Sequence, residues 1–224
     1  MDNFLTILTL GALLGIRHAM DADHVIAVST MVAIHKNPIK AAIIGAYWGL
    51  GHTSTLFIIG LVVLLLKISV DAKITIFMEL AVGLMLIFLG IKSLLEKTQA
   101  YHQHAHKHEY TEHNHIHSHF EIKKKRSHHE SFVIGSIHGI AGSGALMLLV
   151  LSTVKSLPAG LIYILIFGLG SIGSMTLISL ALSLPYIFTF KKFPGMHKYL
   201  MRITGILSVV FGFIIMYEIF SLIF

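Results

Sequence analysis

Five side chains near the start of the chain have the types and spacing to do chemistry. His18, Asp21, Asp23 and His24 share one short motif inside an apolar run from Phe4 to Ile34. His52 follows in the next apolar run, between Gly49-Leu50-Gly51 and Thr53-Ser54-Thr55. Ionisable groups are costly in hydrocarbon and as a rule face a bundle interior, so such a cluster reads as a functional site. Two imidazoles and two carboxylates offer nitrogen and oxygen donors to a divalent transition ion, a set that suits Ni(II), Co(II) or Zn(II) over Mg(II). The competing reading is mutual satisfaction, with Arg17 on an aspartate and the histidines on backbone carbonyls. It is the better account of one buried histidine, and the poorer account of four such groups held together in lipid.

On a straight helix His18 and Asp21 are i, i+3 neighbours and His24 is the next step on that face, whereas Asp23 falls on nearly the opposite side. For Asp23 to serve as a ligand the helix must unwind or bend at the motif, as transporter helices do around ion sites near the bilayer midplane. His52 is expected to complete the site, its hydroxyl neighbours bonding across helices. His138, in a later apolar run, is a further candidate with no acidic residue beside it in sequence. Met20 reads as packing. A separate tract alternates His102, His104, His106, His108 and His113, His115, His117, His119 ahead of Lys123-Lys124-Lys125-Arg126. It is polar and lacks a packing period, so it reads as a loose metal-binding buffer rather than a folded element or part of the transport site.

The elements that must position these groups follow from composition. The chain has 224 residues, 55% hydrophobic and 12% charged, which indicates an all-α polytopic membrane protein. Zero cysteines exclude disulfides, Cys-ligated zinc, iron–sulfur clusters and Cys-x-x-Cys-His haem attachment. The net charge of +6 sits in loops between spans, where topology explains it better than nucleic-acid binding. The opening run has no basic n-region and carries charges mid-run, so it reads as a retained span rather than a signal peptide.

Six apolar runs reach the ~20 residues needed to cross a bilayer as helix: Phe4–Ile34, Ile39–Leu66, Ile74–Leu95, Phe132–Val154, Ala159–Phe190 and Leu200–Phe224. Between alternate runs, thirteen Lys and Arg collect on one side and only Lys67, Lys73 and Lys155 on the other. The positive-inside rule then puts both termini outside and the His-rich loop in the cytoplasm of an inner-membrane protein.

Gly49-Leu50-Gly51 recurs as Gly168-Leu169-Gly170, Gly83 and Gly90 as Gly205 and Gly212, and His18 as His138, at offsets of 119 to 122 residues. Three spans per copy is an odd number, so the second copy must insert upside down. The expected organisation is a first three-helix repeat over 1–98, the cytoplasmic loop over 99–130 and an inverted second repeat over 131–224, with the site at the repeat interface. The copies differ in chemistry: the second reads His138-Gly139-Ile140-Ala141-Gly142-Ser143-Gly144 where the first has its aspartates.

His18-Ala19-Met20-Asp21-Ala22-Asp23-His24 resembles the His-x4-Asp-His signature of the nickel/cobalt transporter (NiCoT) family, and Leu50-Gly51-His52-Thr53-Ser54-Thr55 resembles its second motif. The likeness covers roughly the first third of the chain. The second half lacks the family's acidic motif and looks like the six-span, UreH-like branch. The resemblance implies a permease for Ni2+, with Co2+ second, working in uptake, with His18, Asp21, Asp23, His24 and His52 recognising the ion. It implies no enzyme activity and no resident cofactor, the ion being cargo. The partners it implies are a divalent transition-metal ion, the lipid bilayer, and a second copy of the chain or a cytoplasmic metallochaperone. Efflux is the alternative within the class, and a membrane haem oxidoreductase using paired histidines the alternative outside it. No Gly-x4-Gly-Lys-Ser/Thr motif occurs, so energy is expected from the ion gradient, from a partner protein or from the membrane potential, the last worth about 2.3 kcal/mol per charge per 100 mV.

Overall fold

A computed structural model describes residues 2–35, 37–66, 72–96, 107–108, 111–112, 121–140 and 156–223. The first apolar run forms two helices. α1 (Asp2–His18) stops at the motif, and α2 (Ala22–Val32) restarts beyond it. The Met20 N–H donates to the Arg17 carbonyl at 2.9 Å and the Asp21 N–H to the His18 carbonyl at 3.0 Å, tightening the end of α1. Asp21 then takes extended geometry as the N-cap of α2, yet its side chain makes no cap bond. A capping aspartate is ordinarily worth about 1 kcal/mol, and here the carboxylate is turned to His18 instead.

α3 (Pro38–Leu66) begins on Asn37, whose side chain accepts from the Ile39 N–H at 2.8 Å. Pro38 takes the first helical position, where its missing N–H costs nothing. α4 (Ala72–Leu95), α5 (Glu121–Ile140), α6 (Leu157–Lys192) and α7 (Pro194–Ile223) follow. Between α4 and α5 the tract expected to be unfolded contains one small antiparallel pairing, β1 (Lys107–His108) with β2 (Thr111–Glu112).

Among the described residues, four helices, those of α3, α4, α6 and α7, are long and apolar enough to cross a membrane. Of the other two expected spans, the first is broken at the motif, and the fourth is described only as far as Ile140. α5 starts at Glu121, well ahead of Phe132. Hydropathy locates only the lipid-embedded part of a helix, and the basic turn Lys123-Lys124-Lys125-Arg126 lies ahead of that part.

The helices pack in a definite pattern: α3 against α6 and α5, α1 against α6, and α4 against α7. α2 lies among α3, α4, α6 and α7. At about 1.5 Å per residue it is too short to span, and Ala27, Val28 and Val32 bury it in the core. Glycines set the closeness of approach, as small residues do between membrane helices. A side chain at Gly15 would strike the Phe167 backbone, and one at Gly135 the Trp48 backbone. Gly51 abuts Phe132, and Gly170 abuts Ala12. Gly83 abuts Gly212, and Gly90 abuts Gly205. Hydroxyls pin the same seams: Ser131 Oγ donates to the Ile44 carbonyl at 2.6 Å, Ser171 Oγ to that of Gly15 at 3.1 Å, and Ser208 Oγ to that of Leu86 at 2.7 Å. Leu13, Phe88, Leu177 and Phe213 are among the many apolar side chains left exposed on the perimeter, where lipid rather than water would meet them.

Candidate metal centre

Four imidazoles converge in the core from four helices. His18 closes α1, His24 lies in the first turn of α2, His52 is mid-α3 and His138 ends α5. Their relative exposures are 6%, 1%, 0% and 1%. The break at Ala19–Asp21 makes this possible, because it re-aims α2 so that Asp23 and His24 both reach the cluster.

The hydrogen bonds sort the ring nitrogens. His18 Nδ1 lies 2.7 Å from Asp21 Oδ2, and His24 Nδ1 lies 2.9 Å from Asp23 Oδ1. Asp23 Oδ1 also accepts the His24 backbone N–H at 2.8 Å, and Asp23 Oδ2 lies 3.0 Å from His138 Nε2. A carboxylate takes the N–H of each ring it touches, which leaves the opposite nitrogen of that ring as a lone-pair donor. His18 Nε2 faces His52 Nε2 at 3.2 Å. His24 Nε2, His52 Nδ1 and His138 Nδ1 are buried without a protein partner.

Two overlapping donor sets result, each with its candidate atoms within 4.8 Å of one another: His18, His24 and His52, and Asp23, His24 and His138. The first is an all-nitrogen set, with two of its rings oriented by carboxylates. The second adds an oxygen and shares His24. Such donors suit late transition metals, and orphaned buried nitrogens are the atoms an ion would satisfy.

Each residue expected from the sequence can now be placed. His18, Asp23, His24, His52 and His138 are brought together. Asp21 is not among the convergent donors: it is about half exposed and touches the cluster from behind His18. Arg17 is exposed, and the aspartates meant for it in the competing reading bond histidines instead. Of the tract, His108 sits in β1, while His102, His104, His106, His113, His115, His117 and His119 lie outside the described residues. Two aromatic residues were missed. Trp48 is fully buried with its ring 5.3 Å from His24 and 5.4 Å from His138, and Phe167 stacks on His18 at 5.6 Å. A signal was present: Trp48 is the chain's one tryptophan, a helical turn before His52, and Phe167 stands 119 residues later in the second copy of the same glycine motif.

These features define a multi-pass helical membrane protein with a buried histidine–aspartate centre at the meeting of its broken first run with α3 and α5. Residues 58–214 match the family described as the cytochrome c biogenesis protein transmembrane region. The urease accessory protein UreH of Bacillus sp. (strain TB-90) is 39% identical over 216 residues, covering 96% of this chain and 92% of that one. Two Arabidopsis thaliana proteins, the chloroplast proteins FOR GROWTH AND FERTILITY 2 and 1, are 25% and 24% identical over 74% and 78% of this chain, but it spans less than half of their length. No solved structure matches. The chain belongs to that transmembrane-region family and, within it, to the UreH group.

Proposed function

We propose that the protein is an inner-membrane permease that imports Ni2+, with Co2+ as second substrate, and is not an enzyme. The observation that carries this reading is the convergence of four buried imidazoles and Asp23 from separate helices, three of their nitrogens having no protein partner. The likeness of His18–His24 and Leu50–Thr55 to the nickel/cobalt transporter motifs supports the choice of ion, and the accessory role in the Bacillus relative's name is in keeping with delivery of metal to a urease. Imidazoles favour later transition metals over Mg2+ and Ca2+, and the Asp23 carboxylate offsets part of the charge.

The architecture we infer is six spans as two inverted repeats, 1–98 and 131–224, with the His-rich stretch 99–130 in the cytoplasm and both termini outside. The recurrence of contacts supports it. Gly15 on Phe167 and Gly135 on Trp48 are the same contact moved by 119 or 120 residues, as are Gly51 on Phe132 and Gly170 on Ala12. Gly83 on Gly212 and Gly90 on Gly205 exchange under a shift of 122. Rocking of one repeat against the other about the cluster would expose the ion to each side in turn.

The family description raises haem chemistry as a second reading. The geometry disfavours it: His18–His24 and His24–His138 ring centroids are 4.3 and 4.0 Å apart, so the imidazoles pack on one another and leave no slot for a macrocycle between axial pairs. Efflux shares the site and differs in sign. A visible absorption spectrum of the purified protein tests the haem reading, and expression in cells at trace nickel tests the other two: the wild type should raise cell nickel and a His18→Ala, His24→Ala chain should not. Equal accumulation by both refutes the site, and lowered nickel on wild-type expression establishes efflux.

A further inference from the structure

Two helical turns from the cluster lies a cavity of about 50 Å³ that the transport reading has not used. At roughly 10–15 Å³ of such space per water it holds an ion with a few waters. Its walls continue the ligand-bearing helices. α5 runs from His138 back through Ile134 to Glu130, α3 from His52 through Trp48 to Ile44, and α2 from His24 forward to Met31, ending near His35. Eight residues of helix advance about 12 Å, so cavity and cluster lie about that far apart along the same helices, with the Trp48 ring against His24 and His138 between them.

The titratable walls are His35, Lys92, Glu96 and Glu130, with the Thr30 and Ser93 hydroxyls beside them. Lys92 is ion-paired with Glu130, each a little under two-fifths exposed, so the ammonium can swing out to water on its flexible stem. Burial, then the nearby Lys40 and His128, hold the His35 imidazole down to about 4 from an ordinary 6.5, against the pull of Glu130. At neutral pH it therefore offers a lone pair.

Resting on the permease reading, we propose that this cavity is a second station for the transported cation, where His35 and Glu130 hold a divalent transition-metal ion in transit and the Lys92 ammonium covers the Glu130 carboxylate between ions. A tethered cation keeps the carboxylate compensated when the station is empty, and it must be displaced when an ion arrives. Lys92 therefore competes with the cargo, which gives the proposal its signature: removing Lys92 and removing the Glu130 charge act in opposite directions.

The absence of cysteine supplies a reporter. Met31→Cys, with Thr30→Cys as a second version, places the chain's sole thiol on the cavity wall. In purified full-length protein in lipid nanodiscs, titration with Co2+ should produce a thiolate-to-cobalt charge-transfer band. His35→Ala or Glu130→Gln on this background should weaken that titration at least about tenfold, the usual cost of losing even a supporting partner of a ligand, while Lys92→Met strengthens it. The band should persist in a His18→Ala, His24→Ala chain, whose uptake is lost. No band with either reporter at saturating Co2+, or Lys92→Met and Glu130→Gln shifting it the same way, overturns the second station. A wild-type chain that raises cell nickel no more than cells without it overturns the permease reading instead, whatever the band does.

Discussion

His52 on α3 and Ser171 on α6 stand 119 residues apart, each following a Gly-Leu-Gly motif one turn beyond a buried aromatic residue. His52 brings its ring to the cluster and its Nε2 to within 3.2 Å of His18 Nε2, whereas Ser171 only donates to the Gly15 carbonyl and closes α6 on α1. The same contrast separates His18, which has Asp21 behind it at 2.7 Å, from His138, whose following residue is Gly139, tucked against the His52 backbone. Packing contacts recur throughout both halves, whereas among the candidate ligands only His18 recurs, as His138, and its second copy brings no aspartate of its own. A close helix seam can be repeated anywhere that small residues recur, but a dehydrated ion needs one set of donors in one place, so duplicated donors would only add uncompensated polar groups to the core.

The sharpest way to break this comparison is to remove the paired residues one at a time. His52→Ala should reduce uptake at trace nickel to background, because it deletes a nitrogen from the all-histidine set. Ser171→Ala should leave uptake near the wild-type level and cost roughly 0.5–1.5 kcal/mol of stability, the net worth of one hydrogen bond. Metal accumulation and unfolding in detergent read the two effects separately. Loss of uptake in both variants would mean that the second half carries chemistry beyond His138.

The two aspartates sharpen the comparison within the first half. Asp23 joins His24 to His138 and belongs to a donor set, whereas Asp21 sits outside and orients His18. Asp23→Asn should weaken Ni2+ binding about 100-fold and Asp21→Asn about tenfold, the upper and lower ends for carboxylates that support or join ligating histidines. Calorimetric titration of purified protein measures both. Equal losses would put Asp21 on the ion.

Much of this was legible before any coordinates. A sequence motif exposes donors that are neighbours along the chain, so His18, Asp21, Asp23, His24 and His52 stood out together, although Asp21 lies behind His18 rather than among the convergent donors, and the angular conflict at Asp23 required the kind of helix break found at Ala19–Asp21. The recurring glycines marked a repeat in sequence and sit at close helix seams, while Gly15 and Gly135, equally close to facing backbone, were not among them. What could not be read is what depends on the third dimension. His138 looked unaccompanied because its acidic partner lies 115 residues away, across a helix boundary. Trp48 and Phe167 were passed over because nothing in hydropathy distinguishes a ring facing lipid from one facing an imidazole. The start of α5 was misjudged because a basic helix leaving the membrane has the composition of a loop.

If packing is the shared property, matched seams should respond alike. Gly15→Ala and Gly135→Ala each drive a methyl group into a facing backbone, at Phe167 and Trp48 respectively. Each should cost about 1–3 kcal/mol, the usual penalty for overpacking, and double-variant losses should add, since the seams share no partner. Thermal unfolding in detergent checks this. A loss at one seam several times that at the other would break the equivalence of the halves that the contact pattern supports.

The smallest effect is expected where the chain has the most histidines. The tract from His102 to His119 lies between the halves in sequence, and its histidines alternate along a polar stretch that has no packing period. A low-complexity tract of this kind is expected to bind metal loosely and exchangeably. Deleting residues 102–119 should therefore leave uptake at trace nickel within about twofold of the wild type, a barrier change of only a few tenths of a kcal/mol, while altering accumulation when nickel is in excess. Uptake assayed across both ranges decides the matter, and abolition at trace metal would move the centre of recognition from four buried rings to the His-rich tract.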